Sequence, residues 1–84
     1  MTKFAERLKE LRIEKGLSQR ALAKELKINQ PCIARWESKL QVPNIDVAVM
    51  FAKYFGVTTD YLLGLEDYLH ILIVYVKLLK LKRN

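Results

Sequence analysis

Covalent chemistry in an 84-residue chain has to come from a small set of reactive side chains, and here they stand alone. His70 is the only histidine. Asp67 lies three residues before it, but no paired carboxylate, cysteine or second histidine stands at a spacing that would build a general acid–base site. Cys32 is the only cysteine, so no intramolecular disulfide can close and no Cys/His cluster has zinc-ligand spacing. There is no glycine-rich phosphate loop and no serine with an identifiable base. An enzymatic reading therefore has no residue set behind it, and no metal or cofactor is expected. The informative stretch is "INQPCIARWE", residues 28 to 37, whose first turn is polar and contains proline while Ile33 and Trp36, three apart, form an apolar face at helical spacing. Gln30 and Arg35 bring an amide and a guanidinium, groups that recognise by hydrogen bonding and do not react.

Those side chains need a helix to carry them and a core to hold the helix. Phe4, Leu8 and Leu11 recur at intervals of four and three, which predicts an amphipathic helix over residues 3 to 15, stopped by Gly16. Ser18 offers a capping oxygen to a second, short helix running to about Lys27, with Leu22 and Leu26 stacked one turn apart and Ala23 beside them. Asn29 is the expected cap of the third helix. Pro31 falls in its first turn, where a missing amide hydrogen costs little because those amides have no acceptor within the helix. "SKLQVP" reads as a loop closed by Pro43, after which Asn44 caps a fourth helix with Ile45, Ala48, Phe51, Ala52 and Phe55 as its apolar stripe and Gly56 as its end. Thr58 or Thr59 caps a final short turn, "DYLLG". The expected fold is all-α.

Composition narrows the class of partner. One domain of this size buries only a modest core. A formal charge of +6 suits an anionic partner such as nucleic acid or a lipid surface, although solubility alone explains it equally. "MTKFAERLKE" alternates charge with apolar residues and lacks an export signal, so a cytoplasmic location is expected.

From Leu17 to Gly64, "LSQRALAKELKINQPCIARWESKLQVPNIDVAVMFAKYFGVTTDYLLG" resembles the phage repressor/Cro-type helix-turn-helix family. The resemblance rests on Ser18-Gln19 opening the second helix, Ala23 at the helix crossing, Ile33 and Trp36-Glu37 in the third, and "TTDYLLG" at the end. With the first helix it covers residues 3 to 64. It implies a five-helix repressor-like domain over residues 1–66 that lays its third helix in the major groove of double-stranded DNA. By the same resemblance Gln30, Pro31 and Arg35 read bases. Gln30 suits adenine N6 and N7, Arg35 forks onto guanine O6 and N7, and Pro31 offers only apolar contact. Gln19 resembles a phosphate clamp, Arg12, Ser38, Lys39 and Asn44 are further phosphate candidates, and Arg12 with Glu37 is expected to form an ion pair tying the first helix to the third. Cys32, near the same surface, reads as packing, and Lys3, Lys9, Lys15 and Lys24 read as surface charge. Two positions depart from the family. Lys27 and Lys39 stand where glycine is usual; a backbone still needing positive φ there costs lysine about 1 kcal/mol or more, and looser turns are expected.

"YLHILIVYVKLLKL", residues 68 to 81, lies beyond the resemblance. As a helix it lines up Leu69, Leu72, Ile73, Val76 and Leu79, with Ile71, Val74, Tyr75 and Leu78 apolar on the opposite side; as a strand its β-branched residues fit as well. Periodicity leaves both forms open, with helix favoured. So much apolar surface must be covered. Residues 67–84 are therefore expected to be a homodimerisation segment through Leu69, Leu72, Ile73, Val76 and Leu79, since one reading helix sees half a site and two, about 34 Å apart, read a palindrome. At 14 residues the run is short of the roughly 20 a helical membrane span needs. The tail folding back onto its own domain is the plainer alternative. The expected function is a sequence-specific transcriptional regulator, a repressor, with no small-molecule ligand; the alternative is an antitoxin-like interaction module whose tail binds a different protein.

Overall fold

The computed structural model describes residues 3–65 and 75–81, and every regular element among them is helical. Five helices follow in order, α1 (Phe4–Glu14), α2 (Gln19–Leu26), α3 (Gln30–Glu37), α4 (Ile45–Phe55) and α5 (Thr59–Leu63), and residues 75–81 are helical as well. No helix among the described residues is long and apolar enough to cross a membrane.

Side-chain capping starts three of the helices. Ser18 accepts from the Ala21 amide, Asn44 from that of Val47 and Thr58 from that of Tyr61. Asn29 occupies the cap position of α3 with extended backbone but makes no capping bond through its side chain, contrary to expectation. The cause is local. Pro31 has no N–H to give, and the Cys32 amide is taken by the Asn29 backbone carbonyl at 3.1 Å, so neither usual donor is left for the side chain.

One device ends all five helices. A residue with positive φ follows each, and the amide after it reaches back to a carbonyl five residues earlier, as in Leu17 to Arg12 at 3.1 Å, Ile28 to Ala23 at 3.0 Å and Leu40 to Arg35 at 2.9 Å. Glycine fills three of the five positions, whereas Lys27 (φ 57°) and Lys39 (φ 68°) fill the turns on either side of α3. The turns are thus not loosened by lysine. Both lysines adopt the strained conformation because the closing hydrogen bonds and the packing of Ile28 behind the first turn hold it. At Gly64 space matters as well as φ, since a Cβ there would stand 2.9 Å from Lys3 Cγ. That close approach lets the Lys3 amide donate to the Leu63 carbonyl, while the Arg7 guanidinium donates to the Tyr61 carbonyl and lies over the Tyr61 ring. α1 is thereby fastened to α5.

The core is Phe4, Leu8, Leu22, Ala23, Ile33, Trp36, Phe51, Ala52 and Leu62, with Leu11, Leu26, Cys32 and Phe55 packed around it. Three rings meet at its centre. Trp36 stands edge-on to Phe51 at 5.5 Å and to Phe4 at 6.5 Å, so α1, α3 and α4 share one aromatic contact that fixes the rotation of α3 about its axis. Among the described residues the Trp36 indole N–H is buried without a partner, a cost the ring packing must offset. Ile45, expected in the stripe of α4, is 78% exposed. It is the first residue of α4, and the inward-facing series begins one turn later, at Ala48, Phe51 and Ala52.

Candidate nucleic-acid interface

α3 presents two chemically different sides. Ile33 and Trp36 are buried, whereas Pro31 and Arg35 are exposed and Gln30, the first helical residue, is half-buried. Because the rear side chains lock into the core, the exposed residues are aimed by packing and not by their own preferences.

A hydrogen-bonded chain runs beneath this surface. Arg12 donates from Nε to Glu37 Oε2 at 2.6 Å and from Nη2 to Glu37 Oε1 at 2.9 Å, a forked pair whose side chains are 11% and 4% exposed. Its remaining nitrogen, Nη1, donates to the Leu17 carbonyl at 2.8 Å, tying α1 to the turn before α2. Glu37 Oε1 also accepts from Gln19 Nε2 at 3.1 Å, and Gln19 Oε1 in turn accepts from Gln30 Nε2 at 2.9 Å. The hydrogen bonds it donates to Glu37 hold the Arg12 guanidinium above its ordinary pKa; burial works against this and the carboxylate's charge adds to it. Arg12 is therefore a fixed cation.

The residues expected at the surface fall into groups. Arg12, Gln19, Ser38 and Glu37 line one polar depression of ≈ 330 Å³, together with Ala34 and Lys9. Ser38 turns its hydroxyl back to donate to the Arg35 carbonyl at 3.1 Å. Lys39 lies elsewhere. Its ammonium reaches Glu6 at 3.5 Å, and it borders an apolar cleft with Phe4, Trp36 and Val42. Asn44 spends its side-chain oxygen on the α4 cap, leaving its amide hydrogens outward. Cys32 is half-buried against the core. Among the described residues no group of His, Cys, Asp and Glu could hold a metal ion.

Two features were not read from the sequence. Lys9 joins the depression, although it resembles any surface lysine in the charged face of α1. The bonds that Gln19 accepts from Gln30 and donates to Glu37 span 11 and 18 residues, and only the crossing of α2 with α3 brings them together. The one available signal was that Gln19 and Gln30 each open a helix.

A helix-turn-helix family model matches residues 8–62, which contain every element of this surface. The chain belongs to the helix-turn-helix family. Within the motif α2 is the first helix and α3 the second. The chain is 39% identical over 64 residues to the HTH-type transcriptional activator BcrR of Enterococcus faecalis, a match covering 76% of this chain and 31% of that protein. It is 32% identical over 64 residues to the HTH-type transcriptional regulator ImmR of Bacillus subtilis, covering 76% and 50%. It thus spans half or less of the length of these relatives. A transcriptional regulator from Listeria innocua has a similar solved structure, with a TM-score of 0.69 at 26% identity over 93% of this chain and 78% of that one.

Proposed function

We propose that this helix-turn-helix protein is a sequence-specific DNA-binding transcriptional regulator that docks α3 in the major groove. The observation that carries the reading is the two-sided α3, pinned by Ile33 and Trp36 with Arg35 and Pro31 exposed and Gln30 held at its leading end. A major groove admits one helix and presents a distinct donor and acceptor pattern for each base pair. Gln30 and Arg35 read bases, with Pro31 in apolar contact. Arg12, Gln19 and Ser38 face phosphates from one depression, and Lys39 and Asn44 add flanking contacts across the α3–α4 loop.

Residues 1–66 form the DNA-binding domain in this reading and 67–84 the dimerisation segment. Leu69, Leu72 and Ile73 lie outside the described residues. Val76 and Leu79 lie in the helical stretch 75–81 and are exposed, as Tyr75, Leu78 and Leu81 are, which leaves surface for a second copy to cover. The homodimer reads a palindromic operator in the cytoplasm and represses by occluding polymerase. Selection of binding sites from random DNA tests this. The parent chain should return two half-sites about 34 Å apart, and Arg35→Ala should lose preference at one base pair per half-site, worth about 1 to 3 kcal/mol. Unchanged preference in the variant would remove Arg35 from the readers. Light scattering on the purified chain separates a dimer from a module built for a different protein, which would aggregate alone and disperse on co-expression with that protein.

A further inference from the structure

We infer that Lys9 on α1 supplies the positive charge that the polar depression beside α3 offers to a DNA phosphate, while Arg12 holds that depression in shape. This rests on the reading of the depression as a phosphate contact. Among the described residues its charged lining is Lys9, Arg12 and Glu37, with Gln19, Ala34 and Ser38 completing it. Arg12 and Glu37 stand 2.6 Å apart in a forked pair, so at the range of an incoming phosphate their opposite charges largely cancel. What remains is the positive charge of Lys9.

The hydrogen-bond donors point the same way. All three Arg12 nitrogens already donate within the protein, to Glu37 and to the Leu17 carbonyl, which leaves at most two of the five guanidinium N–H bonds. Gln19 gives one N–H to Glu37 while its oxygen accepts from Gln30, so one N–H is left. The Ser38 hydroxyl donates to the Arg35 carbonyl, and its lone pairs repel a phosphate oxygen. Lys9 differs from all three. It is exposed, and among the described residues its side chain makes no hydrogen bond or ion pair, so three ammonium N–H bonds are available on a flexible stem. It stands three residues before Arg12 on the same side of α1, and the buried Leu8 beside it fixes how that helix is turned.

The experiment is the salt dependence of duplex binding by the full chain and by Lys9→Gln, Lys9→Arg and Lys53→Gln, with a selected and an unrelated duplex. Lys53 is exposed on α4 and lines no part of the depression, so it controls for overall charge. Lys9→Gln should flatten the slope of log affinity against log salt by about 0.9 per bound protomer, so that parent and variant, alike at 1 M salt, differ about eightfold at 0.1 M. The loss should be equal for both duplexes, leaving sequence preference intact, and Lys9→Arg should keep the parent slope. A Lys9→Gln slope equal to the parent's, or a drop matched by Lys53→Gln, overturns the assignment while the parent's binding still upholds the DNA reading. If the parent binds no duplex at low salt, the DNA reading fails and takes the role of Lys9 with it.

Discussion

Between Phe4 and Leu62 the chain leaves Phe4, Leu8, Leu22, Ile33, Trp36 and Phe51 no more than 6% exposed, whereas Tyr75, Val76, Leu78, Leu79 and Leu81 in the helical stretch 75–81 are 45 to 73% exposed. Both regions are helical and rich in large apolar side chains. They differ in pattern. In α1 to α3 polar residues alternate with apolar ones at a period that leaves one inward face, and neighbouring helices, the largely apolar α4 among them, close over it. The stretch 75–81 sets Lys77 and Lys80, three apart, on one side, and the apolar remainder of its circumference stays exposed. A helix whose apolar face is closed over belongs to a domain, and one whose apolar face stays open implies another surface.

Substitutions can break or sharpen that contrast, and the largest effect belongs to the core. Phe51→Ala removes the ring that contacts both Phe4 and Trp36, and about 3 to 5 kcal/mol of stability should go with it, read as a lower urea midpoint. In the exposed stretch, Leu79→Lys should leave the domain's unfolding free energy at low protein concentration unchanged, yet weaken binding to the proposed palindromic operator roughly a hundredfold by splitting the proposed dimer. Gel-shift titration against half and whole sites checks this. A stability loss as large as that of Phe51→Ala would place Leu79 in the domain's own core.

Smaller effects concern how the domain's helices end. Lys27→Gly and Lys39→Gly replace side chains held at positive φ, and each should stabilise by about 0.5 kcal/mol once the extra freedom of glycine in the unfolded chain is subtracted from the strain relieved. Thermal unfolding of the single and double variants would show additive rises in Tm. Ile45→Lys, at an exposed apolar position of the domain, should change stability by less than about 0.5 kcal/mol by the same assay.

What could be read in advance follows from how local each feature is. The five helices were legible because periodicity, capping residues and, for three of them, glycine stops lie within a turn or two of the elements they define. Ser18, Asn44 and Thr58 act where the chain pattern puts them. Asn29 does not, because a proline two residues on changes which amides remain. Ile45 shares the period of its stripe but lies beyond the reach of the core, and period alone cannot tell where a partner helix ends. At the interface, residue types at the head of α3 were legible through their resemblance to a known motif. The bonds joining Gln19 to Gln30 and Glu37 were not, because they depend on the separation and rotation of two helices fixed by Ala23, Ile33 and Trp36.

In the proposed complex an apolar rear wall aims the leading end of α3 at DNA. Chemical-shift mapping of the isotope-labelled chain against its selected duplex at low ionic strength tests it most directly. The largest changes should fall at Gln30 to Arg35 and around Arg12 and Gln19, with α5 and the core face of α4 little moved. Changes concentrated on α4 and α5, or none near residues 30 to 35 with any duplex, would contradict it.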